Sequence, residues 1–177
     1  AAEQKVIEKL GENHVFFLPY LMGERTPHLN PNCRGVFFGL SAIHTKADML
    51  RAVMEGVSYS LTDCLDVLQE MKVSVNEMMA CGGGGKSRIW RQMLADMYGC
   101  EVKTIKAQEG PALGVAILAG VGAGIFKDVP SACKTFIEQD TWCQPEPAAQ
   151  AYYEKGHKLY KKLYTELKDS FDVLASL

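Results

Sequence analysis

Short apolar runs alternate with longer stretches of helical periodicity along most of the chain. The runs are β-prone and are separated by polar or glycine-containing segments, a pattern that indicates strands. It predicts four strands, at residues 15–18, 36–40, 75–81 and 101–105. Because helical patterns follow several of these runs, the order of elements is typical of an α/β protein.

Two helices are predicted in the first hundred residues. Thr45 and Asp48 form a capping box for the first helix, in which apolar residues recur every three or four positions to about Met71. Ser87 is placed to cap the second helix, and Gly99 ends it. In both helices the apolar residues form one stripe, so each is expected to bury one face against the rest of the protein.

Two further helices are predicted in the remainder of the chain. Gly110-Pro111 begins the third, which is rich in small residues and is predicted to reach Gly124, so that it can lie close to a sheet. A linker with three prolines follows. The last helix is predicted over residues 148–168, with its tyrosines packed against the domain and its lysines exposed.

The composition is that of an ordinary globular protein. The chain has 177 residues, of which 47% are apolar and 23% charged, and a formal net charge of −2. This balance gives no electrostatic reason to expect binding to nucleic acid or to an anionic membrane. Six cysteines are spread without a CxxC pair, and residues 1–10 lack the continuous apolar region of a signal peptide. These features favour a single domain in the cytoplasm.

The strongest local signal for binding is a run of four glycines, Gly82–Gly85, between the third predicted strand and the helix that Ser87 caps. Such residues let backbone N–H groups approach a ligand, and a helix N-terminus adds positive partial charge. Three interpretations remain open. Gly85-Lys86-Ser87 matches the end of a P-loop, although Ala80 stands where its first glycine belongs. Alternatively, the turn faces the adenosine of a nucleotide, or it is a tight turn without a ligand.

No catalytic or metal-binding set is assigned from the residues alone. The four histidines have no metal-ligand spacing. Ser58, Ser60 and Cys64 in the first helix have no histidine close to them in sequence. The chain is therefore interpreted as a nucleotide-binding domain without an identified catalyst.

Three segments carry longer motifs. The first reads Gly35-x-Phe37-x-Gly39-Leu40, then after seven residues Asp48-Met49, and after two more Ala52-Val53-Met54-Glu55. The other two are Gly82-Gly83-Gly84 with Ser87 and Trp90-Arg91-Gln92, and Gly110-Pro111-Ala112-Leu113-Gly114-Val115-Ala116. Together they resemble the FGGY carbohydrate kinases, a branch of the actin and Hsp70 ATPase superfamily. Residues 17–28 are most similar to the xylulokinases of that family, whereas Gly85 departs from the alanine that relatives usually carry.

The resemblance implies an α/β fold of the actin-like ATPase, or ribonuclease H-like, type, with a mixed sheet flanked by helices. Residues 1–177 would be the single C-terminal domain of a two-domain kinase and would lack the first hairpin of the sheet, which cradles the phosphates. Gly82, Gly83, Gly84 and Ser87 would border the adenosine of ATP. The sugar site, the Mg²⁺-associated carboxylates and the catalytic base would lie in a preceding domain, so no catalytic or metal residue is expected in this chain.

The implied reaction is transfer of the γ-phosphoryl group of ATP to D-xylulose, which gives D-xylulose 5-phosphate. The 177 residues alone are expected to be inactive, because phosphoryl transfer depends on positioning and on neutralisation of charge. Two alternatives remain open: a kinase of another sugar or polyol in the same family, and a noncatalytic actin-like module used for assembly.

The missing hairpin leads to a structural expectation. The chain should hold an incomplete sheet of three or four strands, with the strand at residues 35–40 next to the gap and helices 46–71 and 111–124 packed on the sheet. An exposed edge or apolar patch would result. A homo-oligomer that covers this surface is expected.

Overall fold

A computed structural model describes residues 14–106 and 110–177 of the protein. In that part of the chain, five strands and six helices follow one another. The strands are β1 (Phe16–Leu18), β2 (Val36–Phe38), β3 (Glu77–Met79), β4 (Glu101–Ile105) and β5 (Gln139–Cys143). The helices are α1 (Lys46–Glu70), the single turn α2 (Gly82–Gly85), α3 (Arg88–Tyr98), α4 (Gly110–Gly122), α5 (Val129–Phe136) and α6 (Pro147–Ser176).

The first two strands form an antiparallel sheet that packs on helix α1. β1 and β2 pair along their full length. Helix α1 begins where the sequence predicts, because the carboxylate of Asp48 accepts a hydrogen bond from the backbone N–H of Thr45 at 2.6 Å. The helix lies so close to β1 that a Cβ atom on Gly56 would meet the carbonyl oxygen of Phe17 at 2.1 Å. This contact therefore requires glycine at position 56.

The second sheet contains β3, β4 and β5 in that order. β3 and β4 are parallel and β4 and β5 are antiparallel, so the sheet is mixed. The chain passes from β3 to β4 through α2 and α3, because parallel neighbours need a crossover connection. Helix α3 contributes Leu94 and Ala95 to a small core with Val102 of β4 and Cys143 of β5.

Helix α6 supplies the centre of the main core. Its residues Tyr153 and Tyr160 are buried among residues of β1, α1 and α3. Arg51 donates from Nε to Oε1 of Glu55 at 2.6 Å and from Nη2 to the hydroxyl of Tyr153 at 2.9 Å. Burial raises the pKa of Glu55, although the Arg51 guanidinium opposes the shift. The ion pair lies within α1, and the hydrogen bond from Arg51 to Tyr153 connects α1 to α6 inside the protein.

The structure confirms several predicted elements, but in the C-terminal third of the chain it differs from the sequence prediction. The ranges of α1, α3 and β4 agree with the sequence prediction to within a residue at each end. The predicted linker after α4 contains α5 and β5. Pro130 lies in the first turn of α5, where proline is tolerated, and Asp128 caps that helix by accepting a hydrogen bond from the N–H of Ser131 at 2.8 Å. β5 is an edge strand of mostly exposed residues, so it lacks the alternation of a half-buried strand.

Helix α6 is longer than predicted and ends at Ser176 instead of residue 168. Residues 169–176 contain neither proline nor glycine, and Phe171 continues the buried stripe of the helix with 4% of its surface exposed.

None of the helices within residues 14–106 and 110–177, α6 included, combines the length and the apolar character needed to cross a bilayer.

The prediction of one sheet of three or four strands is wrong for the described residues, which hold two separate sheets. Within the same residues β2 pairs with β1 alone, and Phe38 and Leu40 are 46% and 51% exposed, so the predicted open edge and apolar patch are present. Helix α4 makes its main contacts with α5 and not with a sheet, and its Val115 and Leu118 are exposed. The small residues of a helix permit another element to pack closely against it, but they do not determine which element packs there.

Asp96 connects α3 to the start of α6. Its Oδ1 accepts hydrogen bonds from the backbone N–H of Glu146 at 2.8 Å and from the side-chain amide of Gln92 at 2.9 Å. Burial raises the pKa of Asp96 above its ordinary value, so the charged carboxylate is disfavoured in the folded protein. This destabilisation is absent below the pKa of the unfolded chain and develops as pH rises through the higher pKa of the folded protein.

The Asp96→Asn variant is therefore expected to have a higher free energy of unfolding than the wild type at neutral pH. Asparagine keeps the accepting oxygen and removes the buried charge. The gain should shrink as pH falls toward about 4, where the wild-type carboxyl also becomes neutral. Urea unfolding at a series of pH values measures the difference, with Asp96→Ala as a control that loses both hydrogen bonds. An asparagine variant that is less stable than the wild type at neutral pH would contradict this account.

Candidate functional site

The four-glycine run lies directly after β3 and folds into the single helical turn α2. Cys81 precedes the turn with extended backbone, and Gly82 has a φ of +74°, a conformation that favours glycine. The N–H of Lys86 donates a hydrogen bond to the carbonyl oxygen of Gly83 at 3.2 Å. The run is thus a compact turn that leads into α3, and not a longer loop that could wrap around a phosphate.

The four glycines have two different surroundings. A Cβ atom on Gly82 or Gly83 would meet nothing within 4 Å. On Gly84 it would lie 3.2 Å from the ring of Trp90, and on Gly85 it would lie 3.1 Å from the backbone that precedes the turn. The first two glycines therefore present bare backbone at an open surface, whereas the last two allow the turn to pack tightly.

Two side chains of α3 hold the turn in place. Arg91 is 8% exposed and donates from Nη1 to the carbonyl oxygen of Gly85 at 2.5 Å. The ring of Trp90 lies against Gly84, and its Nε1 donates to the hydroxyl of Ser58 on α1 at 2.9 Å. These contacts fix the turn relative to α1. The sequence indicated Trp90 and Arg91 as part of a family motif but did not reveal these contacts, because no local pattern shows that residues 32 positions apart meet.

Ser87 is the N-cap of α3, as the sequence predicts. Its hydroxyl oxygen accepts a hydrogen bond from the backbone N–H of Trp90 at 3.3 Å. A serine hydroxyl can accept one hydrogen bond and donate another, so the capping role is compatible with a contact to a ligand. The contact of Ser87 with adenosine stays a prediction. Lys86, the neighbouring residue, is exposed.

The glycine turn and the start of α4 follow the two parallel strands of the mixed sheet. α2 comes after β3 and α4 comes after β4, with residues 107–109, outside the described residues, between β4 and α4 in sequence. Because the C-terminal ends of parallel strands meet at one edge of a sheet, β3 and β4 both end at the edge where the glycine turn begins. Open α/β sheets bind their ligands at this edge. The bare backbone of Gly82 and Gly83 at this edge is therefore a candidate ligand site.

The turn fits a nucleotide but does not fit a Mg²⁺ ion. The open backbone of Gly82 and Gly83 permits close approach of a ligand, which is what nucleotide-binding glycines provide. Mg²⁺ prefers carboxylate oxygens, and residues 80–88 contain neither aspartate nor glutamate. Carboxylates that associate with a metal of the nucleotide would have to lie outside this turn.

Comparison with known proteins identifies relatives of the chain. Residues 1–123 match the model of the FGGY family of carbohydrate kinases, C-terminal domain. The xylulose kinase of Staphylococcus epidermidis is 42% identical over 160 residues, which cover 90% of this chain and 32% of that protein. The structure of a ligand-bound xylulose kinase from Lactobacillus acidophilus is similar with a TM-score of 0.86 and 31% identity, over 98% of this chain and 35% of that one. A gluconate kinase from the same organism gives the same values.

The comparisons confirm both the resemblance and the fold class that the sequence predicted. The solved relatives superimpose along nearly all of this chain, so its architecture is that of the actin-like FGGY sugar kinases. The chain spans about a third of the length of the relatives it matches. The family match covers more than half of the residues, and the xylulose kinase relative exceeds 30% identity over most of the chain. The chain therefore belongs to the FGGY family of carbohydrate kinases.

Proposed function

We propose that the protein is an ATP-dependent kinase that converts D-xylulose to D-xylulose 5-phosphate, and that this chain supplies the adenosine side of the active site. The observation that carries the proposal is the bare backbone of Gly82 and Gly83 at the C-terminal edge of two parallel strands. Membership of the FGGY carbohydrate kinases supports phosphoryl transfer to a carbohydrate.

In this proposal the turn binds the nucleotide through its backbone. Gly82 and Gly83 let the adenosine approach without steric conflict, while Trp90 and Arg91 keep the turn in one position. Ser87 offers its hydroxyl to the base or the ribose while its oxygen caps α3. ATP supplies the γ-phosphoryl group, and Mg²⁺ neutralises its charge. The contribution of this chain is positioning, on which phosphoryl transfer largely depends.

The catalytic base, the metal carboxylates and the sugar contacts are proposed to lie elsewhere in the protein. Residues 80–88 carry no carboxylate, so the nucleotide turn offers neither a carboxylate general base nor a carboxylate ligand for Mg²⁺. The chain also spans about a third of the length of its relatives. A complete kinase of this family would therefore bring further residues to the same cleft.

D-Xylulose is the proposed acceptor because residues 17–28 resemble the xylulokinases and because the Staphylococcus epidermidis relative is a xylulose kinase. A second candidate is D-gluconate. The Lactobacillus acidophilus gluconate kinase has the same TM-score of 0.86 as the xylulose kinase from that organism, so the fold of this chain does not distinguish the two acceptors.

The test is an assay of ADP formation by the complete natural protein with D-xylulose, D-gluconate and glycerol as acceptors. We expect kcat/KM to be highest for D-xylulose, by at least about tenfold. A preference for D-gluconate or glycerol would keep the protein among the carbohydrate kinases and contradict the proposed acceptor. Failure to form ADP with any acceptor would favour a noncatalytic module.

The 177 residues of this chain are the comparison sample in the same assay. They are expected to show no turnover above background, because they supply only the nucleotide side of the proposed active site. Rapid phosphorylation of D-xylulose by these residues would show that the proposed division of roles is wrong.

A further inference from the structure

A group of buried polar atoms lies between helix α1, helix α6 and the loop that joins β1 to β2. Within the described residues, Nε2 of His28 and Oδ2 of Asp63 are buried in this group and have no hydrogen-bond partner. The hydroxyls of Tyr20 and Tyr160 are buried in the same group and interact with each other. Buried polar atoms are normally satisfied by protein, water or an ion. Their concentration in one place points to a binding site for a small polar ligand.

Aromatic contacts bring these residues together. The ring centroid of Tyr20 is 6.1 Å from that of His28 and 6.4 Å from that of Tyr160. Burial raises the pKa of both tyrosines, and the negative charge of Asp63 adds to each shift. The ring of His28 also stacks on Tyr164, with centroids 3.4 Å apart. The group is therefore a structured cluster in which each ring has a defined neighbour.

Asp63 lies between two histidines. Its side chain is 2% exposed, and its Oδ1 is 2.7 Å from Nε2 of His157 on α6. Its Oδ2 faces Nε2 of His28 at 4.0 Å, which is too long for a direct hydrogen bond. One carboxylate on α1 thus faces imidazoles from the loop and from α6.

Asp66 lies close to Asp63 and His157 and adds a second carboxylate to the cluster. One ligand atom each from Asp63, Asp66 and His157 lies within 4.8 Å of the other two. The ammonium group of Lys161 pairs with the carboxylate of Asp66. The cluster therefore contains two carboxylates and two imidazoles, together with one lysine that would compete with any bound cation.

We propose that His28, Asp63, Asp66 and His157 form a binding site for a divalent transition-metal ion, with Zn²⁺ as the best match. Imidazole nitrogen and carboxylate oxygen are zinc ligands, at about 2.0–2.2 Å in tetrahedral sites. Mg²⁺ and Ca²⁺ prefer sites built from oxygen alone. The donor set of this cluster therefore favours zinc over the metal that accompanies a nucleotide.

The proposed ion requires small movements of the loop and of the His157 side chain. Two ligand atoms on one tetrahedral zinc ion lie roughly 3.4 Å apart. Nε2 of His28 and Oδ2 of Asp63 are 4.0 Å apart, so they have to approach each other. Nε2 of His157 and Oδ1 of Asp63 are 2.7 Å apart, so they have to give up their hydrogen bond before the imidazole nitrogen can bind zinc. His28 belongs to a connecting loop, which can move more readily than a helix. Metal binding would fasten this loop to α1 and α6.

The test is a titration of the metal-stripped complete protein with Zn²⁺ by calorimetry, with the absorption spectrum of bound Co²⁺ as a second readout. In His28→Gln and His157→Gln the affinity of this site is expected to fall at least about tenfold. His14→Gln, which changes an exposed histidine outside the cluster, is the matched control and should bind as the wild type does. Equal Zn²⁺ affinity in His28→Gln and the wild type overturns the proposal.

The shift of Tm on addition of Zn²⁺ is a second readout, and it can also be measured on variants of reduced stability. Zn²⁺ is expected to raise the Tm of the wild type and of His14→Gln, because a ligand of the folded state stabilises it. At the same Zn²⁺ concentration the increase in the Tm of His28→Gln should be clearly smaller, because the affinity of that variant is lower. A similar increase in all three proteins would show that zinc binds elsewhere. Neither readout depends on kinase activity, so the outcome is independent of the proposed function.

Lys161→Met separates metal binding from a purely structural role of the cluster. The substitution removes the cation that competes for Asp66, so Zn²⁺ is expected to bind more tightly even though an ion pair is lost. Lys158→Met, at another exposed lysine of α6, is the control and should leave the affinity unchanged. If Lys161→Met does not tighten binding, Asp66 is not a ligand.

Discussion

Replacement of Gly83 by valine is expected to weaken ATP binding about 100-fold, which corresponds to about 2.7 kcal/mol. A Cβ atom at this position meets no atom from outside its own helical turn within 4 Å, so the new side chain has room in the folded protein. It would occupy the surface where, in the proposed function, the adenosine lies against the backbone. The dissociation constant for ATP is measured by calorimetry on the complete protein, and thermal unfolding without nucleotide verifies that the fold is retained.

Two variants of the same turn serve as controls for Gly83→Val. Gly84→Val places its Cβ atom 3.2 Å from the ring of Trp90, so we expect it to lower both ATP affinity and thermal stability. Lys86→Ala is expected to have a small effect, whereas the lysine of a P-loop contacts the terminal phosphates and its loss would be severe. Unchanged ATP affinity in Gly83→Val would remove the turn from the nucleotide site, and a severe loss in Lys86→Ala would favour a P-loop.

Replacement of Gly56 by alanine is expected to lower the free energy of unfolding by about 2–3 kcal/mol. Helix α1 meets strand β1 at this residue, and the added methyl group would lie 2.1 Å from the carbonyl oxygen of Phe17. Because this oxygen is part of the backbone of a strand, it cannot move as a flexible side chain would. The helix and the strand have to separate, which weakens the packing between them.

Gly114→Ala is the matched control for Gly56→Ala, because it makes the same change inside helix α4. Nothing lies within 4 Å of a Cβ atom on Gly114. Alanine has the higher helix propensity, so a gain of about 0.5–1 kcal/mol is expected. Urea unfolding of the two variants and the wild type measures both effects. A Gly56→Ala protein with wild-type stability would contradict the close contact between α1 and β1.

The sequence by itself determined the elements whose signals are short-range. Three capping signals act within one helical turn: the capping box of Thr45 and Asp48, the serine cap at Ser87 and the left-handed glycine at Gly99. They set the start of α1 and both ends of α3. The family motifs are local in the same sense, and the comparisons confirmed the family they indicated.

The candidate nucleotide turn was predictable in position but not in detail. A run of glycines between a strand and a helix indicates a close approach of backbone to a ligand, wherever the run occurs. The sequence could not show that Gly84 packs on Trp90 while Gly83 faces open space. That distinction depends on how α3 is oriented, and α3 is held by the hydrogen bond from Trp90 to Ser58 on another helix.

Only the tertiary structure decided which segments meet. The polar segment β5 becomes a strand because it pairs with β4, where the hydroxyls of Thr104 and Thr141 are 2.7 Å apart. Asp63 and His157 are 94 positions apart in sequence and hydrogen-bond only because α1 and α6 pack together. Capping and turn signals act between neighbouring residues, so they can be recognised in the sequence. Sheet partners and buried polar clusters depend instead on the burial of a core that distant segments share, and no local pattern specifies those contacts.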